Sequence, residues 1–408
     1  MTITIIITLC TLLLVAYLFD LTSSITRIPS VLLLLLLGWI VREVSVFMHL
    51  AIPDLTGLLP FFGTLGLILI VLEGSLELEL NRSKKKLIIQ SFFAALLPMI
   101  GLSFAMAALL VYDQHVPMKQ ALTNVIPLCV ISSSVAISSV KNLPSHDREF
   151  VIYESSLSDM MGVLFFNFVS LNRVINLHSS IQFSLQLVLI TVISFIATLG
   201  LSYLLSKIEH HIKFIPIILL IILIYAISEV YHLPALIFIL IFGLFLGNLD
   251  ELKKYPWIQK LRPRELDRDV AKFKELTVEA TFLIRTMFFL LFGYLMKRSE
   301  ILNSQTIVFA LAISAGIYLV RFLILKLLRL PVMPLLFIAP RGLINILLFL
   351  AIVPAEAVPF VNSSLITQVI IIMALVMMLG LMLTGKKYEH AGKISEEKSA
   401  VETEVLPG

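Results

Sequence analysis

Charge is scarce in this chain. Of its 408 residues, only 14% are Asp, Glu, Lys or Arg, against about 25% in ordinary globular domains. That shortage excludes a disordered chain, and it leaves too little polar surface to clothe a water-soluble core of this size. Cysteine is nearly missing too. Cys10 and Cys129 are the only two, and both lie in apolar runs, which excludes a disulfide-stapled secreted domain. The start of the chain, Met1 to Phe19, lacks the basic segment and small-residue cleavage site of a signal peptide, so we read it as a retained first span. The sequence holds no Walker or dinucleotide fingerprint, so an ATP-driven pump is not expected. The net charge of +4 is modest and gives no reason to expect nucleic acid as a partner.

What is present is apolar. Hydrophobic residues make up 59% of the chain and the mean hydropathy is +1.01. The lipid bilayer is the solvent such a surface suits, and in lipid only helices or closed barrels satisfy their own backbone. A spanning helix needs about 17–25 apolar residues. The sequence predicts an all-α polytopic protein with thirteen spans, near residues 2–20, 28–42, 60–80, 87–111, 119–140, 149–171, 182–206, 213–231, 234–248, 275–296, 305–328, 332–352 and 364–384. Residues 1–385 form the membrane domain and 386–408 a short polar tail. The charged loop near 249–274 separates two helical halves.

An odd number of spans puts the termini on opposite faces. With the N-terminus outside, 23 of the 31 Lys and Arg fall on the cytoplasmic side, 5 fall outside and 3 lie within spans. That asymmetry predicts a cytoplasmic C-terminus.

Ionisable groups inside spans are expensive, and each is a functional candidate until explained. The central ones are Glu73, Glu154, Asp159, Arg285, Arg321 and Arg341. Glu77, Glu229 and Glu279 lie nearer span ends and read as interfacial. Glu154 and Asp159 are five residues apart, so they point about 140° apart around one helix. Asp159 shares its face with Ser155, and Glu154 shares its face with Ser158. Asp159 with Ser155 is the candidate cation (metal-ion) site, and Glu154 needs a cationic partner. Arg285 is expected to pair with Glu279 or to cap a broken-helix carbonyl.

Two spans carry helix-breaking residues. In the fifth, Pro127 precedes Ser132, Ser133 and Ser134. In the twelfth, Pro340-Arg341-Gly342 is followed by Asn345. Broken spans at corresponding places in two halves mark an inverted-repeat secondary transporter, whose half-helix ends meet an ion near the midplane.

These segments together resemble the monovalent cation:proton antiporters, the sodium/proton exchanger superfamily. Arg27-Ile28-Pro29-Ser30 with the following leucines and Gly38 is similar to the family's second span, and Leu72-Glu73-Gly74-Ser75-Leu76-Glu77 to its third. Ile227-Ser228-Glu229 through Gly247-Asn248 resembles the eighth and ninth, and Glu279 through Phe289 the tenth. The resemblance covers about residues 10–385. It implies a six-helix core domain with two crossed broken helices, moving against a dimerisation domain, and typically a homodimer with no cofactor.

Within the electroneutral branch, Glu154 and Asp159 match the family's sixth-span acids, and Arg321 best matches the arginine paired with the first of them. Arg341 matches a second family arginine and is the runner-up partner. The chain departs from the pattern at Ser158, which replaces an Asn, and at Ser132-Ser133-Ser134, which replace Thr-Asp-Pro.

The expected function is therefore exchange of a monovalent cation, Na⁺ first and Li⁺ or K⁺ as alternatives, for H⁺ by alternating access, one for one. Asp159, Ser155, Ser158, Glu73, Ser132 and Ser133 are the candidate ion ligands. A sodium-coupled symporter of a small organic anion and a passive cation channel are the alternatives. No Ser/His or metal-ligand constellation for an enzyme lies inside the spans.

Overall fold

The computed structural model describes residues 2–26, 28–49, 54–78, 82–140, 143–172, 177–207, 214–231, 235–252 and 263–404. Arg27, Lys141, Arg173, Lys213 and the stretch 253–262 of the charged loop, all used in the charge tally, lie outside them. Among the described residues the chain is helical and has no strand.

Leaving aside single turns, the helices are α1 (Thr2–Thr26), α2 (Ser30–Phe47), α3 (Leu58–Glu77), α4 (Lys85–Gln114), α5 (Met118–Cys129), α6 (Ser133–Ser139), α7 (Ser145–Leu171), α8 (Leu177–Lys207), α9 (Phe214–Val230), α10 (Leu236–Gly247), α11 (Pro263–Leu295), α12 (Ser304–Leu327), α13 (Leu343–Leu350) and α14 (Ser363–Glu404). Counting α5 and α6 as one interrupted segment, eight of the described segments are long and apolar enough to cross a membrane, and three more are shorter apolar helices. Side chains such as Leu109, Ile196, Leu219 and Leu319 stand exposed on outer faces, as lipid contact requires.

The helices gather into two bundles. In the first, α2 packs on α11, α3 on α10 and α11, and α10 on α8. In the second, α4 packs on α5 and α7, α6 on α7, and α12 on α14. Helix α3 is the main link between them, touching α13, α7 and α6.

Two interruptions shape the second bundle. Helix α5 ends at Cys129, and Val130 to Ser132 run extended before α6 starts. Proline supplies no N–H to a helix ladder, and the break falls two residues beyond Pro127. The twelfth segment, expected as one span over 332–352, is helical only over Leu343–Leu350. A single 3₁₀ turn, Leu335–Phe337, precedes an extended run to Gly342. Pro334 and Pro340 bracket the non-helical part, and the residue before a proline avoids the helical region.

Candidate functional site

The two interruptions cross and bond to each other. Ser132 N–H donates to the Pro340 carbonyl at 3.0 Å. Asn345 donates to the Pro127 and Val130 carbonyls at 2.6 and 2.8 Å, and its own amide oxygen accepts from Gly342 N–H at 2.6 Å. Gly342 has an extended backbone open to any residue. What demands glycine is space, because a Cβ there would lie 2.6 Å from Val135 Cγ2 and 2.8 Å from Ser132 Oγ.

Arg341 completes the crossing. It is 2% exposed, and it donates to the Leu128, Ala339 and Cys129 carbonyls at 2.8, 2.9 and 3.4 Å. Leu128 and Cys129 end α5, where carbonyls lack partners within the helix. A cation there also complements the negative end of the helix dipole. Asn345 and Gly342 were legible only as residues near a break; their bridging roles appear once the two broken segments cross.

Helix α7 supplies the third wall. Ser158 Oγ accepts from Ile131 N–H at 2.9 Å, so it pins the extended peptide of the fifth segment. Asp159 is 2% exposed. Its Oδ2 accepts from Ser133 N–H at 3.2 Å and from the Ser133 hydroxyl. Its Oδ1 is buried and accepts nothing. Ser155 Oγ donates back to the Val151 carbonyl at 2.7 Å, which fixes its proton and leaves its lone pairs. Ser132 and Ser134 share a hydrogen bond of 2.9 Å. Ser156, a residue that sequence reasoning passed over, is buried with its hydroxyl unbonded.

Glu154 turns away from this cluster. Arg321 grips it with two parallel bonds, 2.8 Å to Oε1 and 2.9 Å to Oε2. Arg321 Nε also donates to the Leu335 carbonyl at 2.8 Å, so the pair ties α7 and α12 to the broken twelfth segment. Such a fork-to-fork pair is the strongest geometry open to two side chains. Of the four buried charges near the crossing, Glu154 and Arg321 neutralise each other and Arg341 is held by carbonyls. Asp159 alone has hydroxyl and amide partners and one bare oxygen.

A cavity of about 640 Å³ opens between α3, α7 and α11. Glu73, Tyr153, Ser138 and Arg285 line it, and Asp159 does not. Glu73 thus sits on the wall of this cavity, half-buried, at a different place from the crossing. The ion pairs Lys84–Glu149 (3.1 Å) and Lys274–Glu77 (3.9 Å) are built from residues of the same cavity wall.

The two partners expected for Arg285 are not formed. Among the described residues it has neither an ion pair with Glu279 nor a bond to a broken-helix carbonyl. The physical reason is angular. Six residues of helix separate Glu279 from Arg285, which puts them about 120° apart. Asp147, in the first turn of α7 ahead of the expected span, has its carboxyl pushed up by burial, with the hydrogen bond to His146 pulling the other way.

Among the described residues no three His, Cys, Asp or Glu side chains cluster as a resident metal site would require. One carboxylate among hydroxyls and carbonyls offers oxygen donors of the kind that hard cations take.

Residues 9–385 match the sequence profile of the family described as the sodium/hydrogen exchanger, transmembrane. Among solved structures, the chain is similar to the sodium proton antiporter MjNhaP1 from Methanocaldococcus jannaschii at pH 8. The identity is 16%, the match covers 96% of this chain and 98% of that one, and the TM-score is 0.68. A three-dimensional electron-microscopy map of the same antiporter matches with 18% identity, 94% and 95% coverage and a TM-score of 0.64. These likenesses give the fold. A search of curated protein sequences returns no match.

Proposed function

The chain belongs to the sodium/hydrogen exchanger family, and from that premise we propose that Asp159 is its exchanging group, carrying one monovalent cation inward or outward for one proton the other way. One observation carries the proposal. Asp159 is the buried carboxylate at the crossing that no arginine neutralises, and its Oδ1 has no partner.

The chemistry follows from that oxygen. A proton binds Oδ1 directly. A cation binds there too, with hydroxyl oxygens of Ser133 and Ser155 in support, and the two exclude each other. A bare carboxylate is costly to carry through an apolar seam, so the second bundle reorients only when Asp159 is loaded with one or the other. The charge near the crossing is the same in both loaded states, because Glu154 stays paired with Arg321 and Arg341 stays on its carbonyls. The exchange is therefore electroneutral, and a membrane potential, worth about 2.3 kcal/mol per charge per 100 mV, does not drive it. Glu73 lines the route of approach. Na⁺ is the cation of this proposal, with Li⁺ and K⁺ as the alternatives to be distinguished. The N-terminus outside, the C-terminus in the cytoplasm and a homodimer belong to the same reading.

A symporter of an organic anion finds less support. Of the three arginines that would bind a carboxylate substrate, two are occupied, Arg321 by Glu154 and Arg341 by three carbonyls, which leaves Arg285 on the cavity wall.

The test is proton flux in proteoliposomes holding a pH dye, with Na⁺, Li⁺ and K⁺ added in turn, with and without a clamped potential. Alkalinisation driven by one cation, unmoved by potential and abolished in Asp159→Asn, is the expected outcome. Wild-type flux in Asp159→Asn would overturn the assignment of Asp159.

A further inference from the structure

A second cavity, of about 670 Å³, lies on the seam between the bundles and has nothing to do with the crossing. Its walls are α2 of the first bundle and α14 of the second, with the turn after α11 at one end. Leu32, Leu36, Trp39, Ile371, Leu375 and Met378 make it almost wholly apolar, and Arg298 is its single charged lining residue. From Leu32 to Trp39 its lining follows α2 for seven residues, about 10 Å at the helical rise, and Ile28, just ahead of the helix, extends it. Leu36 is 50% exposed, so the groove is open sideways rather than sealed.

The charged end is the informative part. Lys297 and Arg298 follow one another there, and Arg42 donates to the Met296 carbonyl beside them. These are three of the five basic residues that the charge tally places on the sparsely basic side. The acids of the same end do not line the groove. Glu300 is bonded to Lys297 N–H and to the Ser363 hydroxyl and lines a different cavity, and Glu43 is outside both.

We infer that this groove holds one acyl chain of an anionic phospholipid, with the chain against Leu32, Leu36 and Trp39 and the phosphate on Arg298. A guanidinium beside an apolar groove makes charge-assisted hydrogen bonds to a phosphate headgroup, and the groove beside it is long enough to take a stretch of acyl chain. Because one wall belongs to each bundle, the bound chain packs between parts that the first bundle and the second bundle contribute separately.

The test uses Trp39 as its own reporter. The full-length protein carrying Trp257→Phe leaves Trp39 as the only tryptophan. It is placed in phosphatidylcholine vesicles containing either brominated phosphatidylglycerol or brominated phosphatidylcholine at equal mole fraction, and Trp39 fluorescence is read. The expected result is preferential quenching by the anionic lipid, with an apparent affinity about fivefold higher, the size of one basic side chain's contribution at a membrane surface. Arg298→Gln should abolish the preference while quenching by both lipids persists. Leu36→Phe, which fills the open side of the groove, should weaken quenching by both lipids. Equal quenching by the two lipids in the unmutated background overturns the proposal, as does a preference that survives Arg298→Gln. Quenching unchanged by Leu36→Phe would place the lipid outside the groove and overturn it as well.

Discussion

Glycines do two different things in this protein, and the division follows the two bundles. Inside the first bundle three of them bring backbone against backbone, while a Cβ at Gly243 would meet the Ser75 side chain. A Cβ at Gly38 would meet the Leu290 carbonyl and Tyr294 nitrogen, one at Gly293 would meet the Leu35 backbone, and one at Gly247 would meet the Leu76 backbone. Across the seam, on α3, they meet side chains of the other bundle instead: Leu347 at Gly63, Leu343 at Gly66 and Ser156 at Gly74. Main chain cannot step aside, whereas a leucine changes rotamer. Small residues let membrane helices approach closely, but only the first kind of contact fixes their position. At these positions the first bundle is a frame of main chain against main chain, and the seam is filled by side chains.

The largest effect tests what holds the second bundle as one body. Arg321→Ala leaves Glu154 buried without a counter-charge, and removing one partner of a buried pair is destabilising by about 3–5 kcal/mol. The thermal unfolding midpoint should fall sharply, and Arg321→Ala combined with Glu154→Gln should recover much of the loss. A harmless Arg321→Ala would mean the pair does not hold the bundle together.

Next come the frame glycines. Gly38→Ala or Gly293→Ala forces main chain apart and should cost about 1–3 kcal/mol of stability, read as a lower unfolding midpoint. Gly66→Ala should cost less than either, because Leu343 can move, while slowing exchange in proteoliposomes through the altered seam. Equal stability losses at Gly38 and Gly66 would erase the distinction. At Gly74, the 2.9 Å approach of a Cβ to Ser156 Oγ should be relieved by Ser156→Ala, so the double variant should be more stable than Gly74→Ala alone.

The smallest effect lies at neither interface. Burial holds the Asp147 carboxyl above its ordinary range, so the folded state keeps its proton longer than the unfolded one. Stability from this group is present at low pH and declines as pH rises through the carboxylate range. Asp147→Asn should remove that decline, and unfolding midpoints measured from acid to neutral pH would reveal it. A steeper decline in the variant would reverse the sign.

Much of the fold could be read from the residues, for a reason peculiar to lipid. Each spanning segment must satisfy its own backbone, so long apolar runs become helices wherever they occur. The breaks could be read because proline removes a donor, as at Pro340. Faces were harder. Helix α3 is apolar nearly all round, so periodicity cannot say which side meets α10, which meets α13 and which meets lipid. The Arg285 pairing shows the opposite case, because the angle between residues 279 and 285 was already fixed by helical geometry.

By itself the sequence determined the membrane as solvent, the helical class, the two interrupted segments and the short roll of buried charges, because each depends on local backbone chemistry. The tertiary structure decided between Arg321, the partner the family resemblance favoured, and Arg341, and it sets Arg321 against Glu154 across 167 residues of chain. It also decided that Arg341 caps the end of α5, and that Asp159 keeps one oxygen unbonded at the point where the two broken segments cross. Those are matters of which surfaces meet, and a charge inside a bilayer takes its meaning from what lies within hydrogen-bond reach of it.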